Sequence, residues 1–274
     1  METFIKIDIF SITPERSEIL IAELSELNFY AFEENKNLLT AYIREDVFDN
    51  VAFESSLKNR EEYKLETIRS QNWNEKWESD LQPVLIGKFA GIRASFHESL
   101  EQVDHEIIIT PKMSFGTGHH ATTALMIEQM SEIDFFGKNV LDFGTGTGVL
   151  AILAEKLGAN KILAIDNDEW SITNALENLQ ANACKKIKIQ KKESICDDVG
   201  QDVILANINL NVLLQHAVNI ASITNEEGFV LLSGFLENDK DQLVQEFEKY
   251  GFTKKNVRKK NEWTSILFKK IINA

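Results

Sequence analysis

The stretch LDFGTGTGVLAI, Leu141 to Ile152, decides the fold. The apolar run NVLDFG reads as a buried strand and the glycines as a turn. Residues 148–157 read as a helix, with Gly158 just past its end. Gly144 and Gly146 permit positive φ and let backbone approach a ligand closely. The dinucleotide fingerprint would need a third glycine at the position of Val149, where there is none. A pyrophosphate seated against the helix end is therefore poorly provided for.

Outward from this loop the pattern is regular. KILAID is a strand, residues 169–182 a helix capped by Asp168, and KIKIQ another strand. DVILANI and GFVLLSG follow as buried strands, each before a helical pattern. Such alternation predicts an α/β, Rossmann-like, mostly parallel sheet covered on both faces. The tail FTKKNVRKKNEWTSILFKK reads as an antiparallel edge hairpin, its basic run a solvated guard against sheet extension.

In such sheets ligands bind beyond the carboxyl ends of the strands. Asp166 ends the second strand of the region, where a carboxylate accepts hydrogen bonds from both hydroxyls of a ribose. A nucleoside without phosphates fits, and S-adenosyl-L-methionine is one whose positive sulfonium suits Asp142 and Asp166. Asn207, at the end of DVILANI, reaches the same place with a neutral amide that accepts from an amine. Methyl transfer needs a neutral nucleophile, and keeping a free lysine deprotonated at neutral pH costs roughly 4–5 kcal/mol. Each residue alone also has a structural reading: a glycine turn, a helix cap at Asp166, a cap at Asn207. Their joint placement at strand ends favours the ligand site.

Among 274 residues, 43 are acidic and 29 basic, a net charge of −14. The first 70 residues hold 15 acids and 8 bases, a surface poor for DNA phosphates and good for a basic partner. Cys184 and Cys196 do not form a redox or zinc pair. The adjacent His119 and His120 diverge, so no metal site is expected. METFIKIDIF lacks a leader's basic and apolar regions, and no run is long enough to span a membrane, so a cytoplasmic location is expected.

At the amino end, TFIKIDIF alternates as a strand, and Thr13-Pro14-Glu15 starts a helix with Ile19, Leu20, Leu24 and Leu27 as its buried stripe. NFYAF and LLTAYI pair around a polar turn at Glu33 to Lys36; a helix near 46–58 and a strand at 63–69 complete a β-α-β-β-α-β order, ferredoxin-like. NWNEKWESDLQPVLIG sets Trp73 and Trp77 one turn apart on a linker helix, and GKFAGIRASF and HEIIITP are strands.

A second glycine-rich stretch, PKMSFGTGHHATTALM, precedes the first. FGTGHHATTALM, VLDFGTGTGVLAI, AIDND and ILANINLNVL, in this order and spacing, resemble the bacterial methyltransferases of large-subunit ribosomal protein eleven, as does NWNEKW. The resemblance spans nearly the whole chain. It implies a class I methyltransferase using S-adenosyl-L-methionine on the α-amine and lysine ε-amines of that ribosomal protein. It also implies residues 1–70 as a substrate-recognition domain, 71–110 as linker helix and strands, and 111–274 as the catalytic domain. The family's donor contacts carry over to Thr123, Gly144, Asp166 and Asn207, with Gly146 added from loop geometry and Asn207 as the catalytic group. No oligomer is implied. This chain departs from the family with His120-Ala121 for histidine-proline, and with Thr145 for a more usual cysteine. NINL stands where many amine methyltransferases have N-P-P-Y. Left open are a methyltransferase for another protein or a small-molecule amine, and a nicotinamide oxidoreductase, for which no catalytic His/Asp or Tyr/Lys arrangement stands out.

Overall fold

The computed structural model describes residues 3–35, 37–57, 61–69, 82–110, 116, 118, 120–195 and 200–272. The chain divides into two compact units, 1–81 and 82–274. The expected Trp73–Trp77 helix lies outside the described residues.

In the first unit, β1 (Thr3–Phe10), a helix (Pro14–Ser25), β2 (Ala31–Asn35), β3 (Leu38–Arg44), a helix (Asn50–Ser56) and β4 (Tyr63–Arg69) follow in order. The antiparallel sheet runs β2-β3-β1-β4, the split β-α-β arrangement of ferredoxin-like folds. Alternation puts Ile7, Ile9, Leu39, Ala41 and Ile43 against Leu20, Leu24 and Phe53 in one core. Three details differ from the sequence pattern. Ile19 stands 52% exposed, because the buried helix face runs through Ser17, Leu20 and Leu24. The hairpin turn is tighter than expected: Glu33, Glu34 and Asn35 all pair with β3, and Asn37 takes the left-handed φ of 61°. The second helix starts at Asn50, where Asp49 accepts from the amides of Val51 and Ala52.

The second unit opens with a small sheet of β5 (Val84–Ile86), β6 (Ala90–Arg93) and β7 (His105–Ile108). The main sheet contains β8 (Asn139–Phe143), β9 (Lys161–Asp166), β10 (Ile187–Lys191), β11 (Gln201–Asn207), β12 (Thr224–Leu236), β13 (Phe252–Lys260) and β14 (Trp263–Lys270). Its order is β10-β9-β8-β11-β12-β14-β13, every pairing parallel except the two made by β14, which alone runs the other way. Successive residues of β8 fall into opposite cores. Val140 packs with Leu205, Leu231 and the helices Ala121–Met130 and Val149–Lys156. Leu141 and Phe143 pack with Ile204, Val230 and Phe247. Both faces are thus covered, as the near-continuous apolar strands require. Strand order reverses between β8 and β11, and a ligand crevice belongs there.

Candidate active site

A cleft of about 870 Å³ lies at the carboxyl ends of these strands, with Gly144, Gly146, Asp166 and Asn207 among its lining. Gly144 has φ 75° and Gly146 φ 54°, so both use the left-handed freedom that suits glycine. A Cβ on Gly144 would also sit 2.3 Å from Ile208 Cγ2. Asp166 ties two loops together: Gly146 N–H donates to its Oδ2 (2.9 Å) and Asp168 N–H to its Oδ1 (3.0 Å). Asp168 in turn caps the helix Glu169–Ala181 by accepting from Ser171 N–H at 2.9 Å.

Asn207 ends β11. Its Nδ2 donates to Thr123 Oγ1 at 3.5 Å, while its Oδ1 is buried without a hydrogen-bond partner among the described residues. Thr122 and Thr123 are both fully buried, and of the two Thr122 belongs to the cleft lining. The helix carrying both is capped by His120, whose Nδ1 lies 2.7 Å from Thr122 Oγ1 and accepts from Thr122 N–H at 3.4 Å. His120 meets Trp263 edge-on, centroids 4.7 Å apart, and both face the cleft. Gly116 and Gly118 have φ of 106° and 91°, and Thr147 donates its hydroxyl to Gly116 O at 2.8 Å. The two glycine-rich stretches are therefore joined directly.

The structure corrects the expected role of Asp142. Its side chain is wholly buried, sharing the face of Val140, and Oδ2 accepts from Thr145 Oγ1 (2.6 Å) and Ala151 N–H (3.2 Å). It braces the loop and helix start and does not line the cleft. Burial pushes its carboxyl up from 3.8 to about 7; the charge of Asp166 adds to this, and the two hydrogen bonds oppose it. A pKa raised by folding contributes stability that is full below pH 3.8 and lost as pH climbs through about 7. Asp142→Asn should therefore gain on the native chain across that window, by roughly 4 kcal/mol, and change no further above it. Urea unfolding at a series of pH values checks this; a difference independent of pH would contradict it.

His120, Trp263, Gly234 and Lys192 also line the cleft and were not read from the sequence as site residues. Gly234, with φ 98° at a bulge in β12, is the one with a visible signal: the glycine that ends the apolar run GFVLLSG. Lys192 follows β10, whereas the loop Gly144–Gly148 carries no basic residue. Among the described residues, no helix is long and apolar enough to cross a membrane.

A sequence model of the family described as ribosomal protein L11 methyltransferase (PrmA) matches residues 6–271. A protein of that name from Porphyromonas gingivalis is 38% identical, over 92% of this chain and 90% of its own. One from Chlorobaculum parvum is 39% identical over 94% of each chain. The crystal structure of a ribosomal protein L11 methylase from Lactobacillus delbrueckii subsp. bulgaricus superposes with a TM-score of 0.64 at 28% identity, over 70% of this chain and all of that one.

Proposed function

The chain belongs to the ribosomal protein L11 methyltransferase (PrmA) family, and from that premise we propose that it methylates the α-amine and lysine ε-amines of ribosomal protein L11 in the cytoplasm. S-adenosyl-L-methionine is the donor. The observation that carries the chemistry is the buried, unpartnered Oδ1 of Asn207 at the switch-point cleft. A buried acceptor left without a donor costs about 1–3 kcal/mol, so a turn of the Asn207 amide that brings Oδ1 to a substrate amine in the cleft is favoured by that amount.

The cleft suits the donor in size and chemistry. Gly144 and Gly146 give close backbone approach, and Asp166, already oriented by two amides, has acceptor capacity left for ribose hydroxyls. Thr123 Oγ1 accepts from Asn207 Nδ2 and so steadies its amide. When bound, the donor supplies a methyl group on a positively charged sulfur, activated for in-line displacement. Asn207 Oδ1 accepts an N–H of the neutral substrate amine and so aims its lone pair. Trp263 and His120 form an aromatic wall that excludes water from the approaching side chain. Such positioning and desolvation supply much of the rate for an activated donor.

The direct test incubates the protein with labelled donor and ribosomal proteins from a strain lacking the enzyme. Label should appear in L11; its absence from every ribosomal protein, with donor bound, would overturn the assignment. The first unit has the acidic surface that a basic substrate calls for. Residues 82–274 alone should keep the donor affinity of the full chain and lose at least about tenfold in kcat/KM toward L11, since remote contacts are spent on positioning. Equal activity of the shortened chain would show that the first unit does not serve recognition.

A further inference from the structure

Three asparagines recur one turn apart on the helix Glu169–Ala181 and at its end: Asn174, Asn178 and Asn182. Asn174 is 1% exposed and Asn178 0%. Ile172, Ala175 and Leu179 already supply the apolar face of this helix, so buried amides beside them answer another need. All three point to the end of β7 and the residues just past it, Ile108 and Thr110. Asn182 accepts from Ile108 N–H (3.0 Å) and donates to Ile108 O (2.6 Å). Asn178 Oδ1 accepts from Thr110 N–H (2.7 Å), and Asn174 Nδ2 donates to Thr110 O (3.2 Å).

The same ladder reaches the glycine loop. Asn178 Nδ2 donates to Thr147 O (2.8 Å) and to Asn174 Oδ1 (3.1 Å). Thr147 holds Gly116 through its hydroxyl. Residues 108–110 and 116 are thus gripped at two separate points, both fixed to the loop that carries Gly144 and Gly146. These bonds form in one arrangement only, and if the segment shifts, buried amides are left without partners.

We infer that this asparagine ladder is a positioning device for the donor site: with Thr147, it sets where Thr110 and Gly116 stand against the glycine loop. None of the three asparagines lines the cleft, so they act through Thr110, Thr147 and Gly116. The inference rests on the cleft being the donor site.

The informative pair is Asn182→Ala and Thr147→Val, in the full chain. They remove different bonds, to Ile108 and to Gly116, and share no hydrogen bond. Calorimetry with S-adenosyl-L-methionine should show each variant binding about tenfold more weakly. The double variant should fall well short of a hundredfold loss, because the same segment is released by either change. Amide exchange at Thr110 should also accelerate in Thr147→Val, although Thr147 makes no bond to Thr110. Additive losses, or unchanged affinity with only a lower melting temperature, would overturn the inference and leave the asparagines as packing. A native chain that fails to bind the donor would instead overturn the donor reading, and exchange at Thr110 still decides the ladder.

Discussion

Asp166→Ala should abolish measurable binding of S-adenosyl-L-methionine, with at least about a hundredfold loss of affinity, near 2.7 kcal/mol. Two separate losses combine. The carboxylate no longer meets the ribose hydroxyls, and hydrogen bonds to charged groups are worth about 1.5–3 kcal/mol each. The amides of Gly146 and Asp168 also lose their common acceptor, so the glycine loop and the start of the helix Glu169–Ala181 are untied from one another. Asp166→Asn keeps one acceptor oxygen and should fall between the two. Titration calorimetry on the three proteins gives the order directly. Equal affinity of Asp166→Ala and the native chain would mean that the ribose lies elsewhere.

Gly234→Ala should reduce methyl transfer by about a hundredfold, the scale on which a misplacement of about an ångström acts. A Cβ there would lie 2.3 Å from Ile208 O, 2.7 Å from its carbonyl carbon and 2.9 Å from its amide nitrogen. These are backbone atoms and cannot swing aside, so the turn after Asn207 must move. Ile208 is hemmed in on the other side too, where its Cγ2 lies under the position a Cβ would take on Gly144. Gly87→Ala is the control: φ is +56°, yet among the described residues nothing lies within 4 Å of the added carbon. It should cost only the left-handed strain, about 1–2 kcal/mol, and leave turnover intact. Native turnover in Gly234→Ala would show that the turn tolerates the displacement.

The parallel sheet was legible because each strand and helix announced itself locally, and the switch point follows from strand order. Asp166 and Asn207 were legible as the last polar residues of apolar runs. Asp142 was misjudged as facing the ligand, although strand periodicity contains the answer: it shares a face with Val140, and that face lies under the helix Val149–Lys156. Trp263 was out of reach. It meets His120 only through the pairing of β14 with β12, Leu236 opposite Trp263, and that register is a tertiary fact. The asparagine ladder was equally hidden. The one-turn spacing is plain in the sequence, but the partners are Ile108, in another sheet, and Thr110, just past its edge.

The reversal of strand order has a kinetic consequence. β8, β9 and β10 are neighbours both in sequence and in the sheet, whereas β11 reaches β8 only after the whole stretch from Phe143 to Gln201 has been threaded. Non-local pairings are the slow ones, since the loop must close before any contact rewards it. The crevice proposed for the donor lies at that seam, so a half-assembled sheet would have nowhere to bind it. Added donor should therefore slow unfolding without speeding the early stages of refolding, and its stabilisation counts only chains in which the seam has closed.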